Sequence, residues 1–180
     1  VSGIGAYYMY DLMEIKWTSW WVIALQVLFA FIIDDIWFYF YHKWLHDNKF
    51  MLKHIHSIHH RAIKPFPLEY LYGHPLEWMM GMIGVAIAFV LILVVMPLNL
   101  YAFWIFGLLR NLHEIHIHSN VEMPFLSKIP FLSKTKHHDD HHAYLDGNYA
   151  STFVWMDRIF KTNSVSYTHL RAHETREDLV

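Results

Sequence analysis

The feature that most limits the possible folds is a long uncharged stretch, residues 79–109, in the middle of the 180-residue chain. About 20 apolar residues of α-helix cross the ~30 Å hydrocarbon core of a bilayer. Pro97 interrupts the stretch and disfavours a continuous helix. We therefore predict a hairpin of two helices, the second continuing past Arg110 toward His113. Residues 17–33 form another uncharged stretch with tryptophans at one end. Together they predict an all-α, integral-membrane helical bundle, with a buried hairpin in a soluble protein as the alternative.

Two polar regions, residues 34–77 and 110–163, flank the predicted hairpin. Because a hairpin crosses the bilayer twice, both regions are expected on the same side of the membrane. Both contain lysines, and the positive-inside rule then places them on the cytoplasmic side. The first region opens with a predicted helix over residues 36–45. The sequence thus predicts a polar cytoplasmic cap on the helical bundle.

Histidine is the unusual residue in this cap, since the chain contains sixteen. Three clusters have the spacings HxxxH, HxxHH and HxxHH. On a helix, positions i, i+3 and i+4 share one face, so each cluster can present two or three imidazoles toward a common point. Eight imidazoles exceed the four ligands of a tetrahedral zinc, and they suit two metal ions. The clustered residues are His42 and His46; His56, His59 and His60; and His138, His141 and His142.

Other residue counts exclude several classes of site. The chain has no cysteine, which rules out disulfides, thiolate-ligated haem, cysteine-ligated iron–sulfur clusters and a cysteine nucleophile within it. Only seven glycines and no glycine-rich fingerprint argue against a dinucleotide-binding domain. The formal net charge of −2 gives no indication of nucleic-acid binding.

The order of the clusters and their membrane setting resemble the fatty acid hydroxylase superfamily, which includes sterol C-4 methyl oxidases and sterol desaturases. The resemblance covers residues 34–162. It rests on the aromatic segment before His42, and on the third box followed by Gly147-Asn148-Tyr149 and by Trp155-Met-Asp-Arg. The segments Tyr72-Gly-His-Pro-Leu-Glu and His118-Ser-Asn are most similar to the sterol C-4 methyl oxidase branch. That branch usually has His-Ser-Gly in the second segment, so Asn120 departs from it.

The resemblance implies a metal centre of two iron ions, with O2 as co-substrate. It implies nine histidine ligands and four further residues that either bind metal or hydrogen-bond to a ligand. No catalytic residue beyond the metal centre and no cofactor-binding residue is implied. The implied ligands are His42, His46, His56, His59, His60, His118, His138, His141 and His142, and the four further candidates are His113, His74, Asp35 and Asp139.

The reaction implied is oxidation of a C–H bond in a sterol or other lipid taken from the bilayer. The chain lacks a redox cofactor site, so two electrons per turnover must come from an external donor. The resemblance suggests cytochrome b5 with its reductase, or a ferredoxin-type system. The corresponding locations are the endoplasmic reticulum in a eukaryote and the inner membrane in a bacterium.

Three other functions stay open at this point. A lipid or sterol desaturase would use the same site. A metal transporter or metal-binding membrane protein is disfavoured because residues 79–109 contain no histidine or acid, whereas transporters place polar ligands inside their spans. A zinc hydrolase would need only two or three ligands and a glutamate base.

The two ends of the chain differ from its middle. The chain begins at Val1, and we expect its N-terminus to be truncated. The C-terminal segment resembles the translation of a sequencing adapter, so His169 and His173 are not counted as ligands. We therefore predict a hydroxylase domain over residues 1–163 and a non-native tail over residues 164–180.

Overall fold

The computed structural model describes residues 12–61 and 66–164. Over these ranges the protein is mostly helical, which confirms the predicted all-α class. Two short strands, β1 (Met13–Glu14) and β2 (Leu98–Asn99), pair in parallel with Met13 opposite Leu98. Three 3₁₀ segments cover His56–Arg61, Glu69–Leu71 and Leu126–Lys128. The helices are α1 (Trp20–Asp47), α2 (Lys49–His54), α3 (Pro75–Val95), α4 (Leu100–Ile117), α5 (Thr135–Tyr144) and α6 (Trp155–Phe160).

Helix α1 is longer than the sequence predicted, because it continues without a break through Asp34 and Asp35. The sequence predicts separate helices over residues 17–33 and 36–45, with the two acids between them. In the structure both carboxylates have partners on other elements. Asp34 pairs with Arg110 of α4 at 2.7 Å, and Asp35 accepts a hydrogen bond from the backbone N–H of Thr152. The two acids therefore attach α1 to its neighbours instead of ending it.

The predicted hairpin is present, and its break lies where proline placed it. Helix α3 ends at Val95, Pro97 lies in the turn, and α4 begins at Leu100. The Gln26 side chain of α1 fastens this turn, because its amide donates to the Pro97 carbonyl and its oxygen accepts from Asn99 N–H. Helix α4 extends further than predicted, to Ile117, and so carries the chain directly into the second polar region.

Two helices, α1 and α3, are long and apolar enough to cross a membrane, judged by length and composition. Only 28% of the most apolar 18-residue stretch of α3 is buried within the structure, whereas the core helix of a soluble protein is mostly buried. Trp20 is 72% exposed and Val94 is 78% exposed. Apolar helix faces with exposed fractions this large are more stable in contact with lipid than in contact with water.

The apolar core lies where α1, α3 and α4 pack together, and it contains Ala30, Val85, Ala88, Phe89 and Phe106. A second, smaller cluster around Tyr39, Tyr149 and Met156 attaches α6 to α1 beside the predicted cap. The Trp37 indole of α1 also donates to the Met80 carbonyl of α3 at 2.9 Å. These contacts fix the position of the C-terminal half of α1, which carries the first histidine box.

Gly84 of α3 allows this close approach. A Cβ at this position would lie 2.9 Å from Cβ of Trp37 and 2.7 Å from Oδ1 of Asp34. We expect Gly84→Ala to destabilise the protein by about 1–3 kcal/mol through overpacking. Gly107→Ala is the matched control, because a Cβ there meets no atom within 4 Å. Thermal unfolding in detergent would measure both, and equal melting temperatures for the two variants would contradict this packing.

The predicted domain boundary between residues 163 and 164 falls at the end of the described part of the chain. Ser164 is still attached, since its backbone N–H donates to the Asn148 side chain at 2.9 Å. From residue 165 onward, the predicted non-native tail lies outside the described residues, as do His169 and His173.

Candidate metal centre

The structure brings together all nine histidines that the resemblance implied as ligands. His42 and His46 lie one turn apart on α1, and the second box forms the 3₁₀ segment His56–Arg61. The third box lies on α5, and His118 caps the end of α4. Eight of the nine side chains are buried, and His59 is partly buried. Four elements whose histidines span residues 42–142 thus present imidazoles to one region.

The nine side chains form two clusters, and within each cluster one ring nitrogen per residue lies within 4.8 Å of all the others. The five-histidine cluster contains His42, His46, His56, His60 and His141, and the four-histidine cluster contains His59, His118, His138 and His142.

The two clusters are adjacent because the consecutive histidines that end the second and third boxes are divided between them. His59 belongs to one cluster and His60 to the other, and His141 and His142 divide in the same way. Consecutive helical residues point about 100° apart, so one short segment can supply ligands to two neighbouring points. The His60 and His142 ring centroids are 4.5 Å apart, which brings the two candidate sites into contact.

The protonation of the five-histidine cluster indicates a cation. His42 Nδ1 donates to the Tyr149 carbonyl at 2.7 Å, and His56 Nδ1 donates to Oε1 of Glu77 at 2.8 Å. A neutral imidazole that carries its proton on Nδ1 has only a lone pair on Nε2. The Nε2 atoms of His42 and His56 are nevertheless 3.0 Å apart. Two lone pairs at this distance repel each other, and a cation between them would remove the repulsion.

In the four-histidine cluster one ring, His118, has its proton fixed in the same way. His118 Nδ1 donates to the Glu114 carbonyl at 2.8 Å, which leaves the His118 Nε2 lone pair 2.9 Å from Nε2 of His138. The donor sets are therefore five and four neutral nitrogens, with no thiolate. Imidazole suits zinc, copper, iron and nickel, and nine nitrogens fit two ions better than one tetrahedral zinc.

A short extended segment after α5 orients two of these histidines through its backbone. The Gly147 carbonyl accepts from His141 Nδ1 at 2.8 Å, and the Tyr149 carbonyl accepts from His42 Nδ1. Gly147 has φ +87°, and a Cβ there would lie 2.5 Å from the Thr162 carbonyl oxygen. Only glycine fits this position without strain, so its carbonyl direction is set by the backbone conformation.

Two buried carboxylates hold this segment in place. Asp157 accepts from the backbone N–H groups of Tyr149 and Ala150, at 3.0 and 2.9 Å. Asp35 accepts from the backbone N–H groups of Thr152 and Phe153, and also from the Trp155 indole. Asp35, a predicted partner of a metal or of a ligand histidine, has both oxygens occupied by the segment that carries the orienting carbonyls.

The other three additional candidates also lie outside the two clusters. His113 contacts the Ser151 carbonyl at 3.1 Å, and His74 caps the start of α3 by accepting from Leu76 N–H. Oδ1 of Asp139 has no hydrogen-bond partner within residues 12–61 and 66–164, and burial raises the pKa of this carboxyl group. The acid that does contact a box histidine is Glu77, through His56. Along the chain Glu77 is far from every box, so proximity in sequence favours Asp35 and Asp139 over it.

Comparison with known proteins agrees with this geometry. The fatty acid hydroxylase family model matches residues 27–162. The chain belongs to the fatty acid hydroxylase family. Methylsterol monooxygenase 1 of Gallus gallus is 35% identical over 167 residues, covering 89% of this chain and 55% of the relative. The same protein of Rattus norvegicus is 37% identical over 166 residues, covering 88% and 55%.

A second group of relatives has a different name. Very-long-chain aldehyde decarbonylase GL1-11 of Oryza sativa subsp. indica is 36% identical over 163 residues, covering 88% of this chain and 59% of the relative. The chain thus spans a little over half the length of the curated relatives it matches. No solved structure shows significant similarity to it.

The buried histidines of this family member make the protein sensitive to acid. Burial and the neighbouring histidines lower the pKa of His59 to about 3, and burial lowers that of His141 to about 4. Both imidazoles are therefore neutral in the folded protein while the unfolded chain titrates near 6.5. As pH falls below 6.5, only the unfolded chain takes up these protons, so folded stability falls.

From pH 6.5 to pH 5.5 we expect these two groups to remove about 2 kcal/mol of stability, because the unfolded chain binds about one proton per group that the folded protein does not. Chemical denaturation in detergent at pH 7.5, 6.5 and 5.5 would measure the change. Unchanged stability down to pH 5 would show that the histidines are not held neutral by the fold.

Proposed function

We propose that this protein is a membrane oxidoreductase that uses two iron ions and O2 to oxidise a C–H bond of a sterol or other lipid. The observation that carries the proposal is the pair of adjacent, all-histidine clusters. The nine histidines are the proposed ligands, five for one ion and four for the other. Neutral imidazoles leave the charge of each ion high. The bound ions would supply dioxygen activation and the two-electron oxidation of the lipid.

The residues of the chain contribute orientation and an apolar surrounding. Carbonyls of Gly147 and Tyr149 fix the rings of His141 and His42, and Glu77 fixes the ring of His56. This outer layer keeps each Nε2 lone pair directed into its cluster.

A cavity of about 70 Å³ adjoins both clusters, since His42, His56, His59, His118 and His138 form part of its wall. Phe38, Tyr41, Trp78 and Met82 supply apolar surface on the other sides. A volume of this size corresponds to about two water molecules, so it suits a reacting group and not a whole lipid. The remainder of the substrate would lie outside, toward the apolar faces of α1 and α3.

The electron donor and the membrane location belong to the same proposal. Two electrons per turnover would come from an external donor, either cytochrome b5 with its reductase or a ferredoxin-type protein. Both polar regions contribute to the clusters, so they must share one side of any bilayer that α1 and α3 cross. We assign that side to the cytoplasm, with the protein in the endoplasmic reticulum or the bacterial inner membrane.

The test is turnover of the iron-loaded, detergent-solubilised protein with a reductant system, assayed on a 4-methylsterol and, separately, on a very-long-chain aldehyde. The proposal expects oxidised sterol containing ¹⁸O when the reaction is run under ¹⁸O2. A product formed only from the aldehyde would favour the decarbonylase-like alternative. A dehydrogenated lipid without ¹⁸O would favour a desaturase, and no product from any lipid, with iron bound, would contradict the proposal.

A further inference from the structure

The cavity beside the two clusters contains one strong cation that the proposed chemistry does not use. Arg110 of α4 lines it together with apolar side chains and the acids Glu77 and Glu114. Its side chain is only 13% exposed. An arginine buried among apolar groups is costly unless its N–H groups have partners, and within apolar helices such residues commonly serve a function.

Most of the hydrogen-bonding capacity of Arg110 is unused by the protein. Its Nε donates to Oδ2 of Asp34 at 2.7 Å, which uses one of five guanidinium N–H groups. Among the described residues 12–61 and 66–164, its two Nη groups donate to no protein acceptor. The pairing with Asp34 fixes the guanidinium and leaves its outer edge available to the cavity.

We propose that Arg110 is a specificity-determining residue whose Nη groups bind a hydroxyl oxygen of the lipid substrate. This inference rests on the proposed lipid oxidation and narrows its substrate class. The substrate is a lipid with a hydroxyl group close to the oxidised carbon, as opposed to an unsubstituted alkyl chain.

The position of Arg110 along α4 supports a short distance between the substrate hydroxyl and the carbon that is oxidised. Arg110, Glu114 and His118 follow one another at steps of four residues, which places them on the same side of α4. With a rise of 1.5 Å per residue, the Arg110 and His118 backbones are about 12 Å apart. The arginine side chain extends into the cavity that His118 also lines. A lipid oxygen held by Arg110 therefore leaves a nearby carbon of the same molecule facing the histidines.

In the metal-free protein, the charged side chains around the cavity favour a neutral hydroxyl over a carboxylate. Asp34 already offsets the charge of Arg110, and the cavity wall adds Glu77 and Glu114. A further anion would meet these acids across a medium of low polarity. A hydroxyl accepts the same hydrogen bond without adding charge.

The test is binding to the purified full chain without metal, so that it does not depend on turnover. Displacement of tritiated cholesterol by cholesterol and by its 3-deoxy counterpart 5-cholestene gives one series. Displacement of tritiated 1-hexadecanol by hexadecanol, hexadecane and palmitate gives a second. A hydrogen bond from a charged donor predicts binding about 10-fold or more tighter for the hydroxyl lipid than for its deoxy partner in at least one series.

Variants separate substrate binding from the structural bridge to Asp34. Arg110→Lys keeps a cation beside Asp34 but removes the planar pair of Nη donors, and it should reduce the hydroxyl preference to about 2-fold or less. Asp34→Asn weakens the bridge but keeps both Nη groups, and it should retain the preference. Arg158→Lys, an exposed arginine outside this cavity, is the control and should bind as the wild type does.

Equal affinity for hydroxyl and deoxy lipids in both series would overturn the assignment, as would tighter binding of palmitate than of hexadecanol. Loss of the preference in Asp34→Asn and Arg110→Lys alike would show that the ion pair acts only as a bridge. A protein that lacks oxygenase activity but shows the Arg110-dependent preference would contradict the proposed reaction and leave this assignment standing.

Discussion

Replacing His56 by alanine should reduce the proposed lipid oxidation by more than about 100-fold. His56 is central in the five-histidine cluster, since its Nε2 lies 3.0 Å from that of His42 and 2.9 Å from those of His46 and His60. Removing a residue that hydrogen-bonds to a metal ligand typically costs about 10–100-fold in metal affinity or activity, and removing the ligand itself costs more. We therefore expect one of the two ions to be lost with the activity.

His54→Ala is the matched control for this variant. His54 lies at the end of α2, two residues before the box, where it is exposed and packs on Phe50 with ring centroids 4.7 Å apart. It belongs to neither cluster, so its removal should leave turnover within about 2-fold of the wild type. Equal turnover in both variants would show that position within the cluster is irrelevant, and the five-histidine site would then be wrong.

The second large effect is expected at Asp157, which contacts no histidine of either cluster. Its side chain is fully buried and accepts from Tyr149 N–H, Ala150 N–H and the Thr162 hydroxyl. Burial alone would raise its pKa, but hydrogen bonds from His137 and Thr162 hold the pKa below its usual value. Asp157→Ala leaves these donors without an acceptor and should cost about 3–5 kcal/mol of folding free energy.

The same variant should also impair the metal centre. Asp157 holds the segment whose Gly147 and Tyr149 carbonyls orient His141 and His42, so its loss should lower metal affinity even in protein that remains folded. Asp140→Ala is the control, because Asp140 pairs with exposed Lys136 one turn away and such pairs contribute little. Thermal unfolding and metal titration would measure both. Wild-type metal affinity in folded Asp157→Ala protein would contradict the orienting role.

The sequence predicted the parts of the site that follow from local spacing. In each box the two histidines four residues apart lie in the same cluster, as helical periodicity predicts, whereas His59 and His141 belong to the other cluster of their boxes. His118 has no box of its own, and only the family resemblance selected it. The hairpin was also predictable, because Pro97 marks its break in an otherwise uncharged run.

The remaining features depend on tertiary contacts. Asp34 and Asp35 suggested the end of a helix, but Arg110 and the segment after α5 satisfy them, so α1 continues. The ring-orienting carbonyls of Gly147 and Tyr149 carry no side-chain signal. Glu77 contacts His56 only because α3 packs against the box-bearing end of α1. Proximity in sequence therefore favoured Asp35 and Asp139 as partners of the box histidines, whereas in the structure Glu77 contacts one of them.

The most direct test of the di-iron centre is the metal content of purified wild-type protein expressed with ample iron. Inductively coupled plasma mass spectrometry would measure it. The matched variant combines His59→Ala and His141→Ala, which removes one ligand from each cluster. We predict about two irons per wild-type chain and nearly none in the double variant. One zinc per chain, or no bound metal in the wild type, would contradict a di-iron oxygenase.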